Sequence, residues 1–278
     1  MKTPPPAAPP VRKDENDYTK YPEFRRHHRA IVSGLKTRPA YAWGVLCGCD
    51  LARTLGHDRA SVIEFGVGGG NGLIELERIA AEVEKIFDLK IDVYGFDTGS
   101  GLPDLLDYRD LPQLWKKGHF TMDIDRLQRE LKRAQLVIGP VSETVPEFIR
   151  KDLGPVSFAS FDMDLYSSTL AAMQLFDADH SKLLPRIQCY FDEIFAFSFC
   201  DYNGERLAIH DFNQAHAHAK IAKIHGLKYY CGEPDSMWPE QMYLAHLFNH
   251  ERYNDHDGMI QFDQILLGSG RHRSDKFT

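Results

Sequence analysis

Carboxylate side chains occur in two short groups in the middle of the sequence, each directly after an apolar segment. Asp162 and Asp164 follow the segment VSFASF, and Asp192 and Glu193 follow IQCYF. If both segments are parallel strands, their carboxyl ends meet at the edge where α/β sheets bind ligands. Carboxylates held together repel one another unless a cation lies between them, and hard oxygen ligands suit Mg²⁺, Ca²⁺ or Mn²⁺. The alternative is helix capping by Asp164 or Asp192.

A glycine-rich segment carries the second candidate site. It runs Glu64-Phe-Gly66-Val-Gly68-Gly-Gly-Asn71-Gly, between an apolar segment and an amphipathic one. Glycines there let a ligand approach the backbone closely. A dinucleotide fingerprint would require glycine where this chain has Asn71, and a P-loop would require a lysine. The alternatives are a nicotinamide site and a glycine turn without a ligand.

Glu64 distinguishes this segment, because a charge inside an apolar strand is costly unless it is paired. The amino group and the sulfonium of S-adenosylmethionine are cations that could pair with it. An E-x-G-x-G pattern after a first strand resembles the first motif of class I methyltransferases, and this resemblance implies that Glu64, Gly66 and Gly68 bind the cofactor.

Two further segments fit the same cofactor. Asp97, followed by Thr98, ends the apolar segment IDVYGF, where an acid can hydrogen-bond the ribose hydroxyls of a nucleotide. Ser142 and Glu143 follow QLVIG, at a position where class I enzymes commonly contact adenine. The alternative for this pair is a helix N-cap formed together with Thr144.

Alternating strand and helix patterns must position these residues. Strands are predicted at 61–65, 91–96, 135–139, 156–161, 187–191, 227–231 and 241–248, with helices between most of them, including one near 204–225. This alternation predicts a Rossmann-like α/β fold: a seven-stranded, mostly parallel sheet with helices on both faces. The last two strands lack a long helix between them, so one of them is expected to run antiparallel.

Three motifs together resemble the macrocin O-methyltransferase family: GFDTGSGLP, FDMDLYSST and FDEI. The resemblance covers roughly residues 60–250. It implies a class I, metal-dependent enzyme that methylates a hydroxyl of a small polar molecule, such as a sugar or natural product, with Mg²⁺ as the expected cation. The metal ligands of the family fall on Asp162, Asp192 and Glu193, and Asp162 also adjoins the cofactor. The family usually has a small residue where this chain has Met163, and an Asp where it has Glu193.

Methyl transfer to a hydroxyl needs a base, because an alcohol is a poor nucleophile near neutral pH. Asp162 and Asp164 are catalytic candidates; Asp164 could be a fourth ligand, an acceptor behind the ligands, or the base itself. His119, in a loop on the expected ligand side, is a second candidate for the base, and a solvated loop histidine is its alternative. The competing functions are an NAD(P)-dependent oxidoreductase and a non-catalytic nucleotide-binding protein of the same fold.

Composition sets the remaining expectations. The chain has 278 residues and a net charge of −7, which argues against a nucleic-acid or anionic-membrane partner. Scattered cysteines and no visible signal peptide predict a reduced, cytoplasmic protein that acts on a small-molecule acceptor, and a homo-oligomer stays open. The predicted organisation is a disordered proline-rich tail at 1–20, with a docking motif as its alternative, a helical extension at 21–58, and a methyltransferase domain at 59–270.

Overall fold

A computed structural model of the chain describes residues 37–195, 198–230 and 235–255. Within these ranges, strands and helices alternate along most of the chain, and short 3₁₀ turns connect several of them. In chain order the elements are α1 (Pro39–Thr54), β1 (Arg59–Phe65), α2 (Asn71–Phe87), β2 (Lys90–Asp97), α3 (Ile124–Glu130), β3 (Gln135–Ile138), α4 (Val141–Phe148), β4 (Val156–Phe161), α5 (Tyr166–Ala172), β5 (Leu183–Phe191), α6 (Gly204–Ala215), β6 (Ala219–Lys223), α7 (Leu227–Tyr230) and β7 (Met242–Leu247).

The seven strands form one sheet in the order β3-β2-β1-β4-β5-β7-β6. Strands β1 to β5 pair in parallel, whereas β7 runs antiparallel to both of its neighbours, β5 and β6. Helix α1 packs against α2, and α4, α5 and α6 form a second packed group. The predicted Rossmann-like, seven-stranded, mostly parallel sheet with helices is therefore confirmed, as is an antiparallel strand among the last two of the chain.

Four phenylalanines lie side by side near the carboxyl ends of the central strands. Phe65, Phe161 and Phe191 end β1, β4 and β5, and Phe96 is the penultimate residue of β2. Strand register pairs Phe65 with Phe96 and with Phe161, and Phe161 with Phe191. The ring centroids of these three pairs lie 4.8, 5.2 and 4.7 Å apart, in the range of favourable aromatic contacts. This buried row aligns the ends of four strands at one level.

Helix α1 covers strands β4 and β5 and is almost entirely buried. Pro39 is its first residue, a position that proline tolerates because the N–H it lacks would have no partner in the helix. Gly48 permits close packing, since a Cβ there would collide with the carbonyl oxygen of Ser157 in β4. The ring of Tyr41 lies 5.5 Å from that of Phe158. Within the predicted helical extension at 21–58, α1 is thus present, and it brings Tyr41 to the centre of the sheet.

The position of the sixth strand corrects a prediction. The segment LKYYC was expected to form it, but α7 (Leu227–Tyr230) is helical and the sixth strand is β6 (Ala219–Lys223). The segment of β6 was assigned to the end of a long helix, whereas α6 ends at Ala215. Pairing with β7 makes this segment a strand, because the sequence AKIAK has no strong preference for helix or strand.

Asn213 secures the outer edge of β6 from the last turn of α6. The backbone N–H of Ile221 donates to Asn213 Oδ1 at 2.7 Å, and Asn213 Nδ2 donates to the Ile221 carbonyl oxygen at 2.8 Å. This side-chain amide therefore satisfies both backbone groups of an edge residue that no strand in the described ranges pairs on that side.

The proline-rich tail predicted at 1–20 and the first part of the predicted extension, 21–36, lie outside the described residues, and the domain limits at 59 and 270 stay predictions. Four cysteines of the described ranges are free thiols: Cys47, Cys49, Cys189 and Cys200. No helix in these ranges is long and apolar enough to span a membrane.

Replacing Asn213 with alanine should lower the free energy of unfolding by about 1–3 kcal/mol, because two backbone groups of β6 lose their partner. Amide exchange at Ile221 should accelerate in the same variant. Urea unfolding and hydrogen exchange measure the two effects. Gln214→Ala, at the exposed neighbouring amide, is the matched control. Equal stability of the two variants would mean that β7 alone holds β6.

Candidate active site

A cavity of about 640 Å³ opens at the carboxyl ends of the central strands. Its walls come from the residues that follow the phenylalanine row, together with the loops after β2 and β3. Ten of the residues predicted for the site line it: Glu64, Gly66, Gly68, Asp97, Thr98, Ser142, Asp162, Asp164, Asp192 and Glu193. The fold therefore brings the glycine-rich segment and both acidic groups into one space.

Glu64 is the buried acid of this cavity. Its side chain is 2% exposed, and Tyr41 donates its hydroxyl to Glu64 Oε1 at 2.7 Å. Ser160 in turn donates to the hydroxyl oxygen of Tyr41 at 2.8 Å. The second carboxylate oxygen, Oε2, has no hydrogen-bond partner among the described residues. Burial raises the pKa of Glu64 to about 8, although the Tyr41 hydrogen bond and the charge of Arg38 oppose this shift.

Two glycines are required by close approach. A Cβ at Gly66 would collide with the carbonyl oxygen of Asp162, and the φ of Gly66 is 85°, a value that favours glycine. A Cβ at Gly72, at the start of α2, would collide with Glu64 Oε1. The glycine-rich segment therefore packs directly against the two acids on either side of it, and larger residues would push them apart.

The carboxylate of Asp97 accepts several backbone hydrogen bonds that the sequence does not indicate. Its Oδ2 accepts the N–H groups of Val67 and Gly68 at 3.0 and 2.9 Å, and its Oδ1 accepts that of Gly99 at 2.7 Å. A carboxylate has about four acceptor positions, so these bonds leave about one for a ligand. Asp97 thus fixes the glycine-rich segment and can still bind a ribose hydroxyl.

The three predicted metal ligands form a cluster. Asp162, Asp192 and Glu193 offer carboxylate oxygens that all lie within 4.8 Å of one another. Burial and the charges of Asp192 and Glu193 raise the pKa of Asp162 to about 7, and burial with the charge of Asp192 raises the pKa of Glu193 to about 7. Three converging acids with this mutual repulsion fit a divalent cation, which would replace the repulsion by attraction.

Helix capping does not explain these acids. The residue that precedes α5 is Leu165, and no side chain caps that helix. Asp192 instead accepts a short hydrogen bond from the Tyr190 hydroxyl, and Gln241 donates to the Asp192 carbonyl oxygen at 2.8 Å. The first contact holds the side chain of Asp192 and the second holds its backbone, directly after β5. The capping alternative is therefore wrong for Asp164 and Asp192.

Asp164 faces the same cavity from a constrained backbone. Its φ of 61° lies in the left-handed region, which is uncommon for a residue with a side chain. The residue is 8% exposed, and burial together with the charges of Asp162 and Glu193 raises its pKa to about 8. This strained conformation places a second carboxyl beside Asp162 on the turn between β4 and α5.

Glu205, which the sequence patterns did not single out, lies behind the cluster. It is 0% exposed in the first turn of α6, and its two oxygens accept the backbone N–H groups of Met163 and Glu193 at 3.3 and 3.0 Å. Burial and the charge of Asp162 raise its pKa well above the ordinary value. One buried carboxyl thus ties together the loops that carry the acidic cluster, and no spacing in the sequence reveals this contact.

Two predicted residues lie elsewhere. His119 does not line the cavity; its carbonyl oxygen accepts from the N–H of Leu102 at 2.8 Å, and its ring lies 5.9 Å from that of Phe120. Glu143 is exposed on α4 and does not line the cavity either, although Ser142 does. The N-cap position of α4 is Pro140 and no side chain caps the helix, so the N-cap alternative for Ser142 and Glu143 is wrong.

The outer wall of the cavity is apolar and exposed. Leu106 and Phe120, on the loop between β2 and α3, are 68% and 54% exposed and line the cavity. The buried Asp110 holds this loop against α5, because it accepts the N–H of Leu106 and both the N–H and the hydroxyl of Ser167, all at 2.8–2.9 Å. This wall offers a surface for the body of a second ligand next to the acids.

No protein-family model matches the chain, and no curated protein matches it, so membership of the macrocin O-methyltransferase family stays a prediction. Among solved structures, the chain is similar at low sequence identity to several methyltransferases. CalS11, a TDP-rhamnose 3'-O-methyltransferase of calicheamicin biosynthesis, is 19% identical, with 77% of this chain and 95% of that chain covered and a TM-score of 0.40.

Two further O-methyltransferases are similar at the same level. TomG from Streptomyces achromogenes, of tomaymycin synthesis and in complex with SAM, is 13% identical, with 86% and 92% of the two chains covered and a TM-score of 0.38. An O-methyltransferase from Bacillus cereus in complex with SAH is 12% identical, with 84% and 91% covered and a TM-score of 0.37. At these identities and TM-scores the similarity carries no conclusion about the activity of this chain.

Replacing Glu205 with glutamine should lower the free energy of unfolding by about 1–3 kcal/mol. The glutamine NH₂ group cannot accept a hydrogen bond, so one of the two backbone N–H groups that Glu205 binds would lose its acceptor. Urea unfolding at neutral pH measures the change. Asp125→Asn, at an exposed acid of α3, removes one carboxylate without this contact and is the control. An unchanged unfolding midpoint in Glu205→Gln would show that the two loops do not depend on this carboxyl.

Proposed function

We propose that this protein transfers a methyl group from S-adenosylmethionine to a hydroxyl of a small polar molecule, with the help of a divalent cation. One observation carries the proposal. A single cavity joins the unpartnered, buried oxygen of Glu64 beside a glycine-rich segment to three converging carboxylates at the next two strand ends. The first feature suits a cationic cofactor and the second suits a hard metal ion.

The cofactor half of the cavity lies at β1 and β2. Glu64 would accept the amino group of the cofactor through Oε2, the oxygen without a partner. The glycine-rich segment leaves room for the ligand next to its backbone, and Asp97 keeps about one acceptor position for a ribose hydroxyl. Thr98 and Ser142 line the wall beyond Asp97, where the adenine would lie.

The metal half lies at β4 and β5. Asp162, Asp192 and Glu193 would hold the cation, and Asp162 adjoins the cofactor half through the contact of its carbonyl with Gly66. A divalent cation bound there would lower the pKa of the acceptor hydroxyl and orient it toward the methyl group. Mg²⁺ is the expected ion because the donors are all carboxylate oxygens.

Asp164 is the proposed acceptor of the hydroxyl proton, in the ionised form that a cation at Asp162, Asp192 and Glu193 would favour, because the charges of these acids help to raise its pKa in the free protein. It lines the cavity next to Asp162, whereas His119 lies outside the lining residues and would have to move before it could reach an acceptor. The base would thus come from the same turn as the metal ligand. A methyl acceptor with several hydroxyls, such as a sugar or a natural product, fits a site in which one oxygen is activated beside carboxylates.

The proposed setting is the cytoplasm, with a small-molecule acceptor and without a nucleic-acid or membrane partner. Seven acidic side chains line the cavity, and Arg38 is the one basic side chain of the described ranges among the lining residues. Such a surface would repel a phosphate backbone or an anionic lipid. The oxidoreductase alternative is less favoured, because Asn71 stands where the dinucleotide fingerprint requires glycine.

Calorimetry tests the metal. Mg²⁺ or Mn²⁺ should bind the wild-type protein, and Asp192→Asn should weaken that binding at least about tenfold because it removes a charged ligand and almost no volume. S-adenosylhomocysteine should bind both proteins. The control is Asp104→Asn, which changes an acid of the same cavity outside the cluster. Equal metal binding by the two variants, or binding of NAD⁺ instead of S-adenosylhomocysteine, would contradict the proposal.

The raised pKa of Glu64 predicts that cofactor binding is coupled to the release of a proton. At pH 7 its carboxyl is mostly protonated, since its pKa is about 8 in the free protein. Pairing with an ammonium favours the ionised form, so binding of S-adenosylhomocysteine should release up to about one proton and tighten as the pH rises from 6 to 8. Calorimetry in buffers of different ionisation enthalpy measures the release. Glu64→Gln should abolish it, whereas the exposed Glu147→Gln should not; proton release that persists in Glu64→Gln would exclude this role.

A further inference from the structure

Arg38 is a charged residue of the cavity to which no sequence pattern assigns a role. It directly precedes α1 and lines the cavity together with Glu64 and Asp162. No ion pair or side-chain hydrogen bond joins its guanidinium to another residue of the described ranges. Its carbon Cζ lies 5.1 Å from the centroid of the Tyr41 ring, a cation–π contact that holds the side chain in place and leaves its N–H groups available.

The electrostatic surroundings keep this guanidinium at the acids. Burial opposes its charge, but interactions with Tyr41, Glu64 and Asp162 raise the pKa of Arg38 above its ordinary value. Arg38 also lines a second cavity of about 600 Å³ beside Trp238. The acids that attract the guanidinium, Glu64 and Asp162, line the first cavity, however. We therefore expect its five N–H donors to face the first cavity.

Tyr41 joins the two charges into one unit. Its ring supports the guanidinium of Arg38, and its hydroxyl donates to Glu64 Oε1 at 2.7 Å. The unit thus presents a cation next to a carboxylate oxygen, and within the described ranges neither the Arg38 guanidinium nor Glu64 Oε2 has a hydrogen-bond partner. A ligand that carries both an ammonium and a carboxylate on one carbon would satisfy both at once.

We infer that Arg38 binds the α-carboxylate of the aminocarboxylate end of the cofactor, beside the ammonium held by Glu64. This inference rests on the proposed function, because it names a further residue for the same ligand. A guanidinium can donate two parallel N–H groups to a carboxylate, which gives both strength and orientation. Arg38 would therefore distinguish complete cofactor molecules from nucleoside fragments that lack the amino acid.

Ligand pairs that differ only in this carboxylate test the assignment. One is S-adenosylhomocysteine, and the other is its decarboxylated analogue, which keeps the amino group and the adenosine. Wild-type protein should bind the analogue about 10–100-fold more weakly, as expected for a lost charged hydrogen-bond pair. Arg38→Gln should bind S-adenosylhomocysteine more weakly by a similar factor, yet bind both ligands with affinities that agree within about threefold.

Two further variants complete the experiment. Arg38→Lys keeps the charge without the planar fork and should retain part of the discrimination. Arg129→Gln removes an exposed arginine of α3 and should behave as the wild type. Melting temperatures of all variants show whether each is folded.

The outcomes separate the two levels of inference. If Arg38→Gln still discriminates between the ligands as strongly as the wild type, Arg38 does not bind the carboxylate, whether or not its overall affinity falls. Equal affinities of the wild type for both ligands also exclude the assignment, while the proposed function stands as long as both bind. Failure of the wild type to bind either ligand would defeat the proposed function itself.

Discussion

The buried row of phenylalanines is the constraint on which the site depends. Aromatic side chains at matched register force four parallel strands to end at one level, so the residues that follow them emerge together. Those residues are Gly66, Asp97, Asp162 and Asp192. The favourable packing of the row therefore offsets part of the repulsion between the acids that it brings close together. A shift of one residue in any of these strands would turn its phenylalanine to the other face of the sheet and take the residue that follows it out of the site.

The acids in this small volume are stabilised by different means. Asp97 accepts three backbone N–H groups and Glu205 accepts two, so both are built into the framework. The carboxylates of Asp162 and Glu193 accept no hydrogen bond from the described residues. Their pKa values of about 7 reflect burial and the repulsion between neighbouring acids. Burying an acid without donors is unfavourable unless a ligand supplies the missing partner. Glu205 is therefore a structural acid, Asp162 and Glu193 are open to a ligand, and Asp97 combines both properties because about one of its acceptor positions is left.

The sequence predicts the parts of this site that follow from strand ends and fails where contacts cross between distant elements. Strand β4 and the acid after it follow from an apolar run with a polar residue behind it, and Glu64 stands out because it interrupts such a run. Glu205 lies 12 residues after Glu193, in the first turn of α6, and nothing in this spacing points to two backbone N–H groups of other loops. Strand β6 was missed for the same reason, since pairing with β7 and the amide of Asn213 determine it.

The two halves of the cavity are electrically connected through Asp162. Its charge contributes to the raised pKa of Glu64, and its own pKa is raised by Asp192 and Glu193. Neutralising the acidic cluster with a cation would weaken this chain of repulsion and favour the ionised form of Glu64, which is the form that an ammonium needs. Because coupling free energies are reciprocal, a ligand that pairs with Glu64 would equally favour the cation. The charge of Asp162 would thus link two binding events that involve no common ligand atom.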